Sequence, residues 1–240
     1  KSTLQGQIRP KVKGKAVTLN LEDTRLYGLG PEDFAPLLAL LDEYHPDASI
    51  YLDEVQEVPE WQRLVRALLD KGRRVCLTGS NASLLGRELG SKLTGRHLSH
   101  EVYPFSYREF LEFTTQQPGA ASLQDYLARG GFAAALSAGA PQGAVLLREL
   151  LRDVVQRDIV SRHALRASRP LMTLVLHLLA HTGQPMSLQS LAKGLALPSV
   201  AQTGRMIEYL QDAWLLLSVP RFSPKFKQRV VSPPKYYAID

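Results

Sequence analysis

The chain has 240 residues and a mass of 26.6 kDa, with 45% hydrophobic and 22% charged residues. That is enough for one core domain plus a smaller module, and it excludes a disordered or collagen-like chain; with Cys76 as the only cysteine, a disulfide scaffold is excluded too. The net charge of +6 lies in the last third: residues 161–240 hold 10 Lys and Arg against 3 Asp and Glu, whereas residues 1–160 hold 19 against 20.

The first 110 residues alternate short β-rich apolar runs with helical patterns, the signature of a parallel α/β sheet. Strands are predicted at residues 16–21 (AVTLNL), 49–53 (SIYLD), 74–79 (RVCLTG) and 97–103 (HLSHEVY). Between them, residues 34–44 and 61–71 carry apolar side chains three and four apart, and Gly72 is placed to cap the second helix. Cys76 is expected to point into this buried sheet and to be inert. From Tyr107 the pattern is helical, broken at Pro118, Gly119, Gly130 and Gly131, and by a short linker at residues 137–143 (SAGAPQG). A long helix is predicted over residues 144–163, then helices at 171–181, 187–195 and 199–213. The longest nearly apolar stretch, residues 171–180, is about half of the roughly 20 residues a bilayer crossing needs. With no signal segment at the start and a lone cysteine suited to a reducing interior, a cytoplasmic protein without membrane contact is expected.

The chain opens on Lys1, Ser2 and Thr3, which match the end of a G-x-x-x-x-G-K-[ST] phosphate loop if the glycines lie just upstream. Such a loop needs a lysine on the terminal phosphates and a hydroxyl on Mg²⁺, at a helix start whose free N–H groups bind anions. The bland alternative is a basic tail. About 50 residues on, residues 50–54 (IYLDE) form a hydrophobic strand ending in two carboxylates, the Walker B pattern. Asp53 is the candidate for Mg²⁺, and Glu54, on the opposite side of the strand, for polarising the attacking water. The next strand ends in Gly79, Ser80 and Asn81, and Ser80 or Asn81 is the candidate to position that water; both also suit a helix N-cap.

These residues resemble the AAA-type (AAA+) P-loop ATPases of bacteria and archaea that carry a C-terminal domain of unknown function. The matching pieces run the length of the chain in order: KST, NLED (20–23), YLDEVQEVPEW (51–61), LTGSNASLL (77–85), LTGRHLSHEVYPFSYREF (93–110), YLARGGFAAAL (126–136), RDVVQRDI (152–159) and KYYAID (235–240). The resemblance implies a RecA-like parallel sheet over residues 1–115, a helical lid over 116–168 and a winged-helix domain over 169–240. It marks Arg96 as an arginine finger acting on a neighbouring subunit's nucleotide, with a surface arginine as the alternative. Gly130 and Gly131 resemble the lid motif whose backbone approaches the base, although Ala133 stands where the family has proline. Arg129, Arg152 and Arg157 read first as lid-surface or salt-bridge residues. The glycine half of the phosphate loop, and the region that follows KYYAID in the family, lie outside these residues, so the chain reads as an excerpt.

Residues 187–195 and 199–213 form a helix-turn-helix pattern around Leu197 and Pro198, followed by a predicted β wing. That wing, residues 221–235, carries Arg221, Lys225, Lys227, Arg229 and Lys235 with no acid, interleaved with Phe222 and Phe226. Such a surface suits a phosphate backbone, with Gln202, Thr203 and Arg205 facing a groove. Nucleic acid is favoured over membrane because no amphipathic basic helix accompanies the charge; docking to a protein is the other reading. His177 and His181 are spaced to grip a metal but lack the glutamate of a zinc-protease motif, and Trp61 and Trp214 read as packing anchors.

The function expected is that of an ATP-hydrolysing, Mg²⁺-dependent AAA+ protein: an oligomeric, DNA-associated motor or remodeller, hexameric by family analogy. A slow nucleotide-controlled switch whose winged helix docks a protein is the alternative. A DNA-binding protein on a decayed phosphate-loop scaffold is a third reading, which requires the upstream glycines to be missing.

Overall fold

The computed structural model describes residues 2–11, 14–79, 96–165 and 167–240, so Lys1, Ser80 and Asn81 lie outside the described residues. The chain divides into two compact units, Lys1–Glu101 and Val102–Asp240.

The first unit is built on a parallel sheet of β1 (Ala16–Asn20), β2 (Ser49–Asp53) and β3 (Val75–Leu77), in the order β1-β2-β3. All five residues of β2 are buried, as a central parallel strand covered on both faces requires. The helices are α1 (Ser2–Ile8), α2 (Phe34–Tyr44) and α3 (Trp61–Asp70). α3 buries Trp61, Leu64, Val65 and Leu68, which lie three and four apart on one face. These side chains join Ile50, Leu52, Val55, Phe34 and Leu41 in the core. A fully buried leucine of this kind contributes about 1.5–3 kcal/mol. α3 stops at Gly72, whose φ of 74° lets its N–H reach the Leu69 carbonyl (2.9 Å) and that of Arg73 reach Leu68 (3.0 Å). These are the paired bonds of a left-handed C-cap, as the sequence predicts.

Two expectations fail in this unit. Residues 97–103 form no strand: Leu98 is 89% exposed, and no strand among the described residues runs beside the segment to satisfy its amides. Cys76 is exposed rather than buried, because among the described residues β3 is an edge strand and turns Val75 and Leu77, not the residue between them, toward the core.

The second unit is mainly helical. It contains α4 (Tyr107–Thr114), α5 (Ala120–Arg129), α6 (Ala133–Ala138) and α7 (Ala140–Asp153), the last continuing into a π-helical stretch, Val154–Ser161. Then come α8 (Arg169–Ala180), α9 (Leu188–Gly194) and α10 (Val200–Asp212), and an antiparallel pair, β4 (Leu216–Val219) and β5 (Lys235–Ala238), with α11 (Phe226–Val231) between its strands. Val155 and Ile159 of the π-helical stretch pack with Leu174, Leu178, Leu191, Leu210, Leu216 and Tyr236 in one core. The long helix and the later helices are therefore parts of one packed body.

Two further corrections belong here. Residues 137–143 are not a linker, since only Gly139 separates α6 from α7. The expected β wing is interrupted by α11, a short basic helix. Among the described residues, no helix is long and apolar enough to cross a membrane.

Candidate functional site

The site is built at the carboxyl ends of β2 and β3. The parallel register pairs Leu52 with Leu77, which brings the next residues, Asp53 and Thr78, side by side. Asp53 is 8% exposed, and the Thr78 hydroxyl donates to its Oδ1. The backbone is pinned from both neighbours: Leu21 N–H donates to the Asp53 carbonyl (3.0 Å), Thr78 N–H to Leu52 (2.9 Å) and Val55 N–H to Thr78 (3.1 Å). Thr78 escapes a reading of the strand-end motif alone; the available signal is a hydroxyl one position past the last apolar residue of the neighbouring strand.

Glu54 leaves β2 in a left-handed conformation (φ 55°, ψ 51°), rare outside glycine and concentrated at functional sites. The turn reverses the chain into a short 3₁₀ segment, Val55–Glu57, in which Val55 is buried. There the Gln56 side-chain Nε2 donates to Glu54 Oε2 at 2.5 Å. The adjacent carboxylates are thus directed apart, Asp53 toward β3 and Glu54 toward its own loop.

α1 is fastened to the same edge. Gln5 is buried, and its side-chain amide lies 3.4 Å from the carbonyls of both Leu52 and Cys76. Ser2 and Thr3 occupy the exposed first turn of this helix, about 4.5 Å along the axis from Gln5 for Ser2. Gln5 thus seats α1 against the backbone of β2 and β3.

The donor set fits Mg²⁺. Asp53 and Ser2 offer hard oxygens, and a buried carboxylate needs a compensating cation. Among the described residues no Lys or Arg pairs with Asp53, whose partner is the neutral Thr78 hydroxyl. Also among them, no three His, Cys, Asp or Glu side chains gather into a metal cage. An ion with few protein ligands, completed by water and phosphate, is how Mg²⁺ is usually bound.

Comparison with known proteins follows this division of the chain. Residues 1–111 match an AAA domain, and residues 120–240 match a domain of unknown function (DUF8612). The chain belongs to the DUF8612 family, joined here to an AAA domain. It is similar to the uncharacterized protein MJ1544 of Methanocaldococcus jannaschii, with 28% identity over 97% of this chain and 56% of that protein. An uncharacterized protein of Haemophilus influenzae is 27% identical over 84% of this chain and 54% of its own length. The chain thus spans about half the length of these curated relatives. Among solved structures, the Walker-type ATPase PABY2304 of Pyrococcus abyssi aligns with 99% of this chain and 73% of its own, at 13% identity and a TM-score of 0.49.

Elsewhere in the AAA domain, Arg96 pairs with Asp70 of α3 at 2.7 Å, with both side chains more than half exposed. In the DUF8612 unit, Gly130 and Gly131 end α5 in a turn held by Asp240. Gly131 N–H donates to both carboxylate oxygens of Asp240, at 2.7 and 2.8 Å, and its carbonyl accepts from Phe105 N–H (2.8 Å). A Cβ at Gly131 would stand 2.2 Å from the Phe105 carbonyl oxygen, so the close approach itself demands glycine. Burial pushes the Asp240 carboxyl above its ordinary pKa, against the pull of the Gly131 and Phe132 N–H groups. Arg129 pairs with Asp125 at 3.2 Å and donates to the Leu136 carbonyl, the salt-bridge role expected first for it.

Of the proposed groove-facing residues, Gln202 and Arg205 are exposed but Thr203 is fully buried. Thr203 shares the inner face of α10 with Ile207 and Leu210 and satisfies its hydroxyl on the Ser199 carbonyl at 2.9 Å, so it is a core residue. Arg221, Lys225, Lys227 and Arg229 are all exposed, beside Phe222 (92%) and Phe226 (72%). Arg229 stands 5.6 Å from the Phe226 ring centroid, a cation-π contact.

Proposed function

We propose that this chain is the working part of a Mg²⁺-dependent ATPase whose chemistry takes place at the carboxyl edge of β2. The observation that supports this most is the separate seating of the two strand-end carboxylates, one nine-tenths buried against Thr78 and the other turned into its own loop by a left-handed residue. Ser2 and Asp53 would hold Mg²⁺, which offsets phosphate charge when bound. Lys1 and Thr3 meet phosphate oxygens, Ser80 or Asn81 orients the attacking water, and Glu54 takes its proton.

The same reading assembles subunits into an oligomer, six by family analogy, in which Arg96 exchanges Asp70 for a neighbour's nucleotide. The C-terminal module acts as a winged helix that holds DNA through Gln202, Arg205, Arg221, Lys225, Lys227 and Arg229, and the protein works in the cytoplasm. The test is Glu54→Gln in the full-length protein. ATP binding should persist while turnover falls by about 10²- to 10⁴-fold, the range of a lost general base. Turnover equal to the unmutated protein would remove Glu54 from the role.

A further inference from the structure

We propose that Gln56 is a positioning residue for Glu54, its side-chain amide holding the carboxylate in the direction from which it accepts the proton of the attacking water. The proposal rests on the reading of Glu54 as that proton acceptor.

The geometry favours positioning over a chance surface contact. Gln56 belongs to a turn whose backbone cannot drift. Val55 and Val58 on either side are buried at 0% and 2% exposure, Glu57 N–H returns to the Glu54 carbonyl (3.1 Å), and Val58 N–H to Val55 (3.2 Å). The Val55 N–H is in turn bonded to the carbonyl of Thr78, the residue after β3. Glu54 and Gln56 are both half-buried, so the hydrogen bond from Nε2 to Oε2 is partly shielded from water. A glutamate side chain has three free torsions, and an amide donor on one oxygen fixes them while leaving Oε1 for water. Glutamine suits this task better than lysine or arginine, which would also cancel the charge that draws the proton. In the step served, water loses a proton to Glu54 as its oxygen bonds to the γ-phosphorus. The bond from that phosphorus to the bridging oxygen breaks, ADP leaves, and the proton passes from Glu54 to solvent.

The experiment compares Gln56→Leu, which keeps the volume and removes the donor, with Gln56→Glu, which keeps the shape and turns the donor into an acceptor. Each is made in the full-length protein, alone and with Glu54→Gln, and read by kcat, KM, ATP affinity and thermal unfolding midpoint. The expected result is a kcat reduced about 100-fold in Gln56→Leu, the cost of a misplaced reacting group, and at least as much in Gln56→Glu. KM and ATP affinity stay in place, and the residual rate of Glu54→Gln is not lowered further by either change. An unchanged or raised kcat overturns the proposal, as does an equal loss in the Glu54→Gln background, which would mean that Gln56 acts through the fold. If Gln56→Leu does not fold, Gln56→Met, flexible and of similar length, gives the same reading. Should Glu54→Gln itself turn over normally, both the proposal and the reading beneath it fall; if Glu54→Gln is inactive while Gln56→Leu is fully active, only the proposal falls.

Discussion

Residues 53–56 and residues 221–229 are both rich in charge, and the fold treats them in opposite ways. In the first, each carboxylate has a neutral partner chosen by the backbone, and Asp53 is almost removed from water. In the second, four cations stand in solvent on a loop and a six-residue helix, with Arg229 against the exposed Phe226 ring. The difference separates two ways of using charge. A fixed, part-buried group acts on a reacting atom because its reorganisation is already complete before substrate arrives. Exposed surface cations act on a polyanion through counterion release, which depends on their number more than on their angles. Substitutions at the first site should therefore be felt sharply and singly, and those at the second gradually and together.

The largest effect that would sharpen this contrast is expected from Thr78→Val, which keeps the shape of the side chain but removes the hydroxyl from Asp53. A buried carboxylate oxygen left without its donor costs about 1–3 kcal/mol. Unfolding by denaturant should show that loss, and turnover should fall about 100-fold because Asp53 is freed to rotate. Thr78→Ser, which retains the donor, should restore most of both. If Thr78→Val is as stable and as active as the unmutated protein, the strand-end carboxylates are no better ordered than the C-terminal cations.

A smaller and cumulative effect is expected at the second site. Replacing Arg221, Lys225, Lys227 and Arg229 by glutamine should weaken binding to duplex DNA at every sequence, with each single replacement contributing a fraction. The slope of log affinity against log salt should flatten by about 0.9 for each phosphate that is no longer neutralised. An affinity for DNA that is independent of salt, or one carried by a single residue, would break the comparison and favour a specific protein-docking surface.

What was legible in the sequence follows the reach of the interactions. Asp53 and Glu54 end a run of buried residues, α3 carries its apolar face three and four apart, and Gly72 comes just past its C-cap, Lys71; these are local patterns. Thr78, Gln5 and Gln56 were not legible as partners of the site. Thr78 meets Asp53 through the register of β2 against β3, Gln5 meets Leu52 across 47 residues, and Gln56 meets Glu54 only because Glu54 adopts a left-handed turn. The expected strand at 97–103 has alternation but no neighbouring strand among the described residues, and a strand is defined by its neighbour. Thr203 looks polar in sequence, yet its hydroxyl bonds back one helical turn and lets the residue face the core.

The smallest effect concerns Asp240, which combines features of both regions: a carboxylate held by backbone N–H groups 109 residues away, but still partly open to water. Its pKa is raised in the folded state, with burial as the first cause and the Gly131 and Phe132 amides opposing it. A group shifted upward binds its proton more tightly when folded, so its contribution to stability is fully present below the unfolded carboxyl pKa and is lost as pH rises through the folded one. Asp240→Asn removes this titration. The difference in unfolding midpoint between the unmutated protein and Asp240→Asn should therefore favour the unmutated protein more at pH 4 than at pH 7, by a small margin given the exposure. The opposite slope would mean that the two amides outweigh burial, and that the turn at Gly131 depends on the charged form of Asp240 as Glu54 depends on Gln56.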